Sequence, residues 1–565
     1  MQYDVAIIGG GPAGTTAGTL LKKYQPDLNV VILEREKFPR DHIGESQLPA
    51  ISMILHEMGA WDKIEAANFP IKIGSTNRWG KVPELWDFEF YPSEKFEEQE
   101  RPAKFEGQRR FTAFQVDRSI YDKILLDHAA ECGVEVREQT TVKEILKTGD
   151  RVDGLTLADG DVVTAKHYLD ASGHTGILRR AMGVTCEYPS TLQNIALWDY
   201  WQNAEWAVEI GVGATKIQVM SLGYGWIWFI PLGPTRTSIG LVVPAEYYKE
   251  RGIRPEDLYM EALGQEERIS GLITNATREG KFTSTKDWSF LSSRQSGENW
   301  FLIGESAGFA DPILSAGMTM AHCGGREVAC TILELEKGQH DSAWLREQFD
   351  LRQSQRVTSH IRFADFWYTA NAQFQDIKEC IQRIAGDAGL DLTPDHAWDW
   401  LARGGFIDED LSTGVGGFSL LTVKGLSTVL ADLPQRDPLS ENNMFKLNLA
   451  GASVKERAEY SNGGIKACKC YVRGAKVLPV DGRFKMVIGM LQRSSSMDHI
   501  IPMITQFVES FPDSNVRYRA FTKTMEAFEA LIADGWVIAS CDPNKQLYRI
   551  EYHDQTIRLN KDTLH

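Results

Sequence analysis

Four strings of residues in this chain carry the side chains or turns that chemistry needs. The first is Gly9-Gly10-Gly11-Pro12-Ala13-Gly14, which fits G-x-G-x-x-G between an apolar run and a helix-like stretch. Such a turn brings backbone N–H groups and a helix N-terminus up to a pyrophosphate. Glu34 follows Gly14 by about 20 residues, where a carboxylate accepts from ribose hydroxyls. The second string, Gly225 to Pro231, contains W-x-W-x-I-P. At strand spacing Trp226, Trp228 and Ile230 share one face, and two neighbouring indoles wall off a cavity. The third is Lys72, in Phe69-Pro70-Ile71-Lys72-Ile73-Gly74. Alternation puts Phe69, Ile71 and Ile73 on one face and Lys72 on the other. A lysine closed into apolar surroundings has a lowered pKa and reacts as a neutral amine. The fourth, Gly304-Glu305-Ser306-Ala307-Gly308, spells the G-x-S-x-G elbow of serine hydrolases. A hydrolase also needs an acid and a His downstream and an oxyanion loop upstream. Downstream, His340 and Asp341 are adjacent, a poor arrangement for an acid followed by a His, and no HGGG-like loop exists.

The elements that must position these groups follow from the pattern. The opening MQYDVAIIGG reads as a buried strand and a glycine turn. A helix over 13–24 and an apolar strand over 28–34 complete a βαβ unit and hence a parallel sheet. Strands are expected at 134–138, 167–169, 217–222, 238–243 and 300–303, and helices at 119–132 and 318–337. Composition shifts after about residue 365. Helices are expected at 374–384 and 393–402, and 404–440 is rich in Gly, Ser and Leu without period. Near the end, 485–491 reads as a strand and 497–511 and 522–535 as helices. A hairpin of 536–540 with 547–552 would make a winged-helix-like module. The expected organisation is a core over 1–365, a helical or irregular extension over 366–470 and a small α/β module over 471–565.

Composition bounds the function. The chain has 565 residues, 43% hydrophobic and 24% charged, which is globular and excludes a mainly disordered or fibrous protein. The formal net charge of −16 argues against a general nucleic-acid or anionic-membrane binder, since both need a basic face. The 8 cysteines form no CxxC pair, so reduced thiols and no zinc site are expected. A strand-like run at Tyr3 with no basic n-region before it, and no apolar run long enough for a bilayer, imply a cytoplasmic protein.

FAD and NAD share the glycine fingerprint, so other blocks must choose between them. Gln115-Val116-Asp117-Arg118-Ser119 opens a helix with Asp122 in its first turn. Asp170-Ala171-Ser172-Gly173 ends a strand. Gly304 to Pro312 ends another, with a helix beginning near Gly317. In this order they resemble the FAD-binding blocks of the hydroxybenzoate-hydroxylase-like flavoproteins, an α/β fold with a Rossmann-type FAD domain and an inserted substrate-side sheet (near 69–112 and 185–290). The family's third block usually reads Gly-Asp, and here the acid is Glu305. The resemblance implies an FAD site made by Gly9, Gly11, Ala13, Gly14, Glu34, Arg40, Gly44, Glu45, Ser46, Arg118, Val142, Asp170, Gly304, Glu305, Gly317 and Met318.

Within that fold W-x-W-x-I-P is similar to the signature of the flavin-dependent halogenases. In hydroxylases of the fold the substrate meets the flavin directly; in the halogenases the tryptophans, here Trp226 and Trp228, stop that contact. The block from Phe69 to Gly80 resembles the segment carrying that family's essential lysine, here Lys72. Ser315-Ala316-Gly317 matches the turn whose amides hold the halide. Tryptophan halogenases carry a glutamate before that serine. This chain has Leu314, which implies the chloramphenicol-type branch acting on phenolic, pyrrolic or carrier-tethered substrates. Phe38-Pro39-Arg40 with Gly44-Glu45-Ser46 agrees with that branch, as does the Phe366-Trp367-Tyr368 start of the C-terminal part. The resemblance spans about residues 1–370. It implies reduced FAD from a separate flavin reductase, chloride or bromide as co-substrate, and Lys72 as relay of hypohalous acid. A monooxygenase or prenyl reductase would use the same FAD blocks, and a serine hydrolase would use Ser306.

Overall fold

The first apolar run becomes the strand Gln2–Ile8, buried without a break from Val5 to Ile8. The computed structural model describes residues 2–79, 84–188, 193–210, 213–370, 437–474, 476–511, 514–550 and 557–559. Gln2–Ile8 pairs in parallel with Val30–Leu33 on one side and Val162–Asp170 on the other. Glu135–Arg137 and Trp300–Leu302 extend the parallel set. A strand with parallel neighbours on both sides is covered on both faces, which is why its sequence is a continuous apolar run. The antiparallel pair Val142–Thr148 and Arg151–Leu157 finishes this sheet. The helix Pro12–Tyr24 leaves the glycine turn and packs along the long helix Ala316–Lys337.

A second, mixed sheet carries the other chemical strings. Its central order is Gln193–Gln202, Arg236–Pro244, Trp226–Pro231, Ala214–Ser221, Ile71–Arg78, Trp86–Glu89. All of these pairs are antiparallel except Ala214–Ser221 with Ile71–Arg78. Leu197, Phe229, Ile239 and Leu241 of this sheet form a core with Leu258, Tyr259 and Leu263 of the helix Pro255–Gln265. The expected α/β class, a Rossmann-type sheet with an inserted β-region, is what the chain builds.

The chain divides into two compact units, one of Met1–Gln373 with Tyr460–Ile465 and Leu559–His565, the other of Phe374–Glu459 with Lys466–Arg558. In the second, the helices Gly482–Arg493, Met497–Glu509 and Ser514–Ala533 bury Val487, Ile500, Ile504 and Phe528 against Phe445 and Trp536. Two expectations are corrected here. Residues 485–491 are helix rather than strand, because Phe484, Val487, Ile488 and Leu491 recur at helical spacing and share a buried face. The strand Val537–Ser540 pairs with Met444–Leu447, not with 547–550, so the hairpin of the winged-helix reading is not formed among the described residues. The readings at 374–384 and 393–402, and nearly all of 404–440, lie outside the described residues. No helix among the described residues is long and apolar enough to cross a membrane.

Candidate active site

The glycine turn folds as its motif requires. Gly9 has φ +111°, and a β-carbon there would lie 2.3 Å from the Ala171 oxygen of the neighbouring strand end. Above Gly11 the space is open, and the nearest atom to a β-carbon there is Nη2 of Arg40 at 4.0 Å. Glu34 is buried at the strand end and accepts from the Gly10 amide at 2.7 Å and the Glu36 amide at 2.8 Å. Arg118 grips Asp122 through Nε (2.7 Å) and Nη2 (2.8 Å), and its Nη1 donates to the carbonyls of Ile43 and Gly44 at 2.8 and 3.1 Å. This fastens the 40–46 segment beside the helix Arg118–Glu131. That segment continues as a strap, with Ser46 bridged to Gln115. Among the described residues, Oγ of Ser46 and the side-chain amide of Gln115 are buried without hydrogen-bond partners, and Nη1 of Arg40 stands 3.7 Å from Asp122. Such a group of unsatisfied donors and acceptors fits a polar ligand. The Glu305 carboxylate lies over Gly173 and Gly317, and burial raises its pKa. Oriented this way, the acid faces the start of the helix Ala316–Lys337.

Two expected contacts change character. Asp170 accepts from the Ser172 amide and hydroxyl through Oδ1, and from the Leu178 and Arg179 amides through Oδ2. Its carboxylate therefore caps the helix Ile177–Ala181. The Val142 side chain packs in the sheet core with Val31, Leu33 and Leu157. Ala13 and Met318 are buried on the two crossing helices. The hydrolase reading is overturned by Ser306. Its hydroxyl is fully buried and donates to the carbonyls of Asp170 and Ile303, with no base beside it among those partners.

Lys72 is buried at 3% exposure, which excludes an ordinary surface lysine. Its strand, Ile71–Arg78, pairs Lys72 with Thr215 and then Gly74 with Lys216. The extra residue, Ile73, makes a bulge and breaks the simple alternation expected from sequence. The Lys72 Nζ stands 5.4 Å from the centre of the Phe90 ring. Burial pulls its pKa down from 10.5 to about 7, and no charge among the described residues holds the ammonium. A desolvated amine of this kind is partly neutral and nucleophilic near pH 7.

The indoles of Trp226 and Trp228 lie side by side, ring centres 5.9 Å apart. Trp228 Nε1 donates to Ser238 at 3.1 Å, and its ring lies across Gly240, where a β-carbon would come within 2.1 Å. Trp226 Nε1 donates to the Tyr368 hydroxyl at 2.7 Å. Trp79, Trp367 and Tyr368 extend the aromatic wall; Trp79 meets Trp226 edge-on at 6.3 Å. In the sequence Trp79 lies inside the 69–80 block and Tyr368 closes the 366–368 run, and no local pattern points to Asn194. Ser315 adopts φ +52° and offers no side-chain cap to the helix that starts at Ala316. The amides at Ala316 and Gly317 thus open a 22-residue helix whose first turn keeps its donors and its partial positive charge.

The family model described as tryptophan halogenase matches residues 4–105 and 92–377. The chain belongs to the flavin-dependent halogenases. It is 31% identical over 347 residues to a tryptophan 2-halogenase of Chondromyces crocatus, a match covering 60% of this chain and 62% of that protein, less than two-thirds of its length. It is 28% identical over 438 residues to the 1H-pyrrole-2-carbonyl-(peptidyl-carrier protein) chlorinase of Pseudomonas fluorescens, covering 70% of this chain and 96% of the relative. Among solved structures, the flavin-dependent halogenase CmlS superposes with TM-score 0.70 at 23% identity, over 99% of this chain and 100% of CmlS. The myxobacterial chondrochloren halogenase CndH, described as a variant of the FAD-dependent halogenases, superposes with TM-score 0.59 at 27% identity, over 77% and 98%. The open glycine turn, Arg40, the strap and Glu305 fit the FAD of this halogenase family.

Proposed function

We propose that this chain is a two-component halogenase that places chlorine or bromine on an electron-rich phenolic or pyrrolic ring, free or tethered to a carrier protein. FAD, reduced by a separate reductase and bound in the cradle, supplies with O₂ the oxidation of halide to hypohalous acid. Gly9, Gly11 and the helix start at Pro12 hold the pyrophosphate, Glu34 the ribose, and Arg40 the negative charge of the phosphates. Glu305 accepts from hydroxyls of the flavin's side chain. The amides of Ala316 and Gly317 hold the halide, and Ser315 sets their direction. Trp226 and Trp228 keep the organic substrate away from the flavin and keep water off the path between.

Lys72 receives the oxidant. Its neutral amine forms an N–halogen bond as the halogen–oxygen bond of hypohalous acid breaks, and the hydroxyl leaves with an amine proton as water. The ring carbon then takes the halogen, and the ring proton returns to the amine. No co-reactant beyond hypohalous acid is needed. Leu314 stands where a tryptophan halogenase has a glutamate, which favours rings that supply their own electron density. We place the FAD and lysine chemistry in residues 1–365, with Trp367 and Tyr368 bordering it, and leave the C-terminal module to substrate or carrier binding.

The observation that carries this reading is a lysine buried with no counter-charge among the described residues, on the same sheet as the paired indoles of Trp226 and Trp228. The test is Lys72→Ala with reduced FAD, oxygen and bromide on a phenol and pyrrole panel. Halogenated product should fall by more than 100-fold (about 3 kcal/mol of barrier) while FAD binding and peroxide release persist. Retained halogenation would overturn the role. A product with added oxygen or two added hydrogens would select the monooxygenase or reductase instead.

A further inference from the structure

Tyr368 stands near the end of the helix Ser342–Ala370, outside the strings that mark the flavin site, yet its hydroxyl is a junction. It accepts from Trp226 Nε1 at 2.7 Å and from Asn194 Nδ2 at 3.3 Å, and it donates to Asp311 Oδ1 at 3.1 Å. Asp311 accepts from Asn194 Nδ2 through its second oxygen at 3.1 Å, and from the Ile313 amide through Oδ1 at 2.9 Å. That last bond caps the short turn Pro312–Leu314, which delivers the chain to Ser315 and the helix start at Ala316. A continuous hydrogen-bonded line therefore runs from the Pro312–Leu314 turn, which leads directly into Ser315, to the indole of Trp226. Asn194, Trp226, Asp311 and Tyr368 are all buried. Burial pushes the Asp311 carboxyl up to about 7; the charge of Asp365 adds to this, and the Ile313 amide, the Tyr368 hydroxyl and Asn194 oppose it.

Packing does not require this hydroxyl. Trp79 meets the Tyr368 ring edge-on at 5.9 Å, a contact phenylalanine would keep. What the hydroxyl adds is direction, since an indole N–H buried at 2% exposure must find an acceptor.

We propose that Tyr368 is a positioning residue that clamps the Trp226 indole to the 315–317 turn through Asp311, so that barrier and halide seat keep one geometry. This rests on the reading of 315–317 as the halide seat. Tyr368→Phe keeps the ring and cuts the bonds to Trp226, Asn194 and Asp311. In the resting protein, the ultraviolet resonance Raman band of the Trp226 N–H, assigned by difference against Trp226→Phe, should shift to its weakly bonded position. The bromide KM should rise about 5–10-fold, the size of one lost buried hydrogen bond, with kcat moving less. An unshifted band overturns the clamp. A shifted band with an unchanged bromide KM overturns its link to the halide seat. A wild-type chain that brominates nothing sinks the halogenase activity instead, and the Raman band still decides whether the clamp exists.

Discussion

Lys72 and Lys216 sit on adjacent paired strands, one register step apart, and are equally buried at 3% and 4% exposure. Their surroundings differ completely. Lys216 Nζ meets Asp87 Oδ2 at 2.7 Å and Glu89 Oε1 at 2.6 Å, and Asp87 also accepts from the Thr76 hydroxyl at 2.7 Å. Lys72 has a phenylalanine ring nearby and, among the described residues, no carboxylate acting on it. The same residue type in the same sheet is thus a fixed ammonium at one position and a desolvated amine at the other. Burial alone does not make a lysine reactive; burial without a counter-charge does.

Substitution should separate the two lysines by sign. Lys216→Met removes the cation paired with buried Glu89 and half-buried Asp87, and denaturant melts should show a loss of about 3–5 kcal/mol. Lys72→Met removes a group that pays for its own desolvation. The unfolded chain takes up a proton at Lys72 as pH falls through 10.5, while the folded chain waits until about 7. Wild-type stability is therefore eroded between those values and stays low below them. Lys72→Met should be more stable by roughly 2–4 kcal/mol at pH 6, with the gain shrinking toward pH 10. A gain independent of pH would mean that Lys72 is charged in the fold. Gly240→Ala tests whether the indole wall, which we propose keeps water off the path to Lys72, also keeps Lys72 dry. The new methyl displaces the Trp228 ring, at a cost of about 1–3 kcal/mol. Water entry should then raise the pH at which Lys72 reacts with an amine reagent; an unmoved profile would separate the wall from the lysine.

The sequence made the first half of this comparison legible and hid the second. Gln2–Ile8, the glycine turn and the strand Trp226–Pro231 were readable because parallel and interior strands bury both faces, so their apolar runs are unbroken. Lys72 stood out because an apolar strand brackets a single charge. Lys216 did not, since its partners lie 129 and 127 positions away, on a strand whose register no local pattern fixes. The Asn194–Asp311–Tyr368 junction joins groups 57 to 174 residues apart for the same reason. Ile73 was assigned by strict alternation, and a one-residue bulge overrode it. The misread 485–491 run is apolar enough for either element, and its buried face is visible only once neighbouring helices are in place.

Heteronuclear NMR of the lysine side chains, with Lys72→Met assigning the resonance, asks most directly whether this amine is held neutral. The Lys72 signal should titrate near 7. A Lys72 signal that titrates near 10.5, as in a free lysine, would contradict the account.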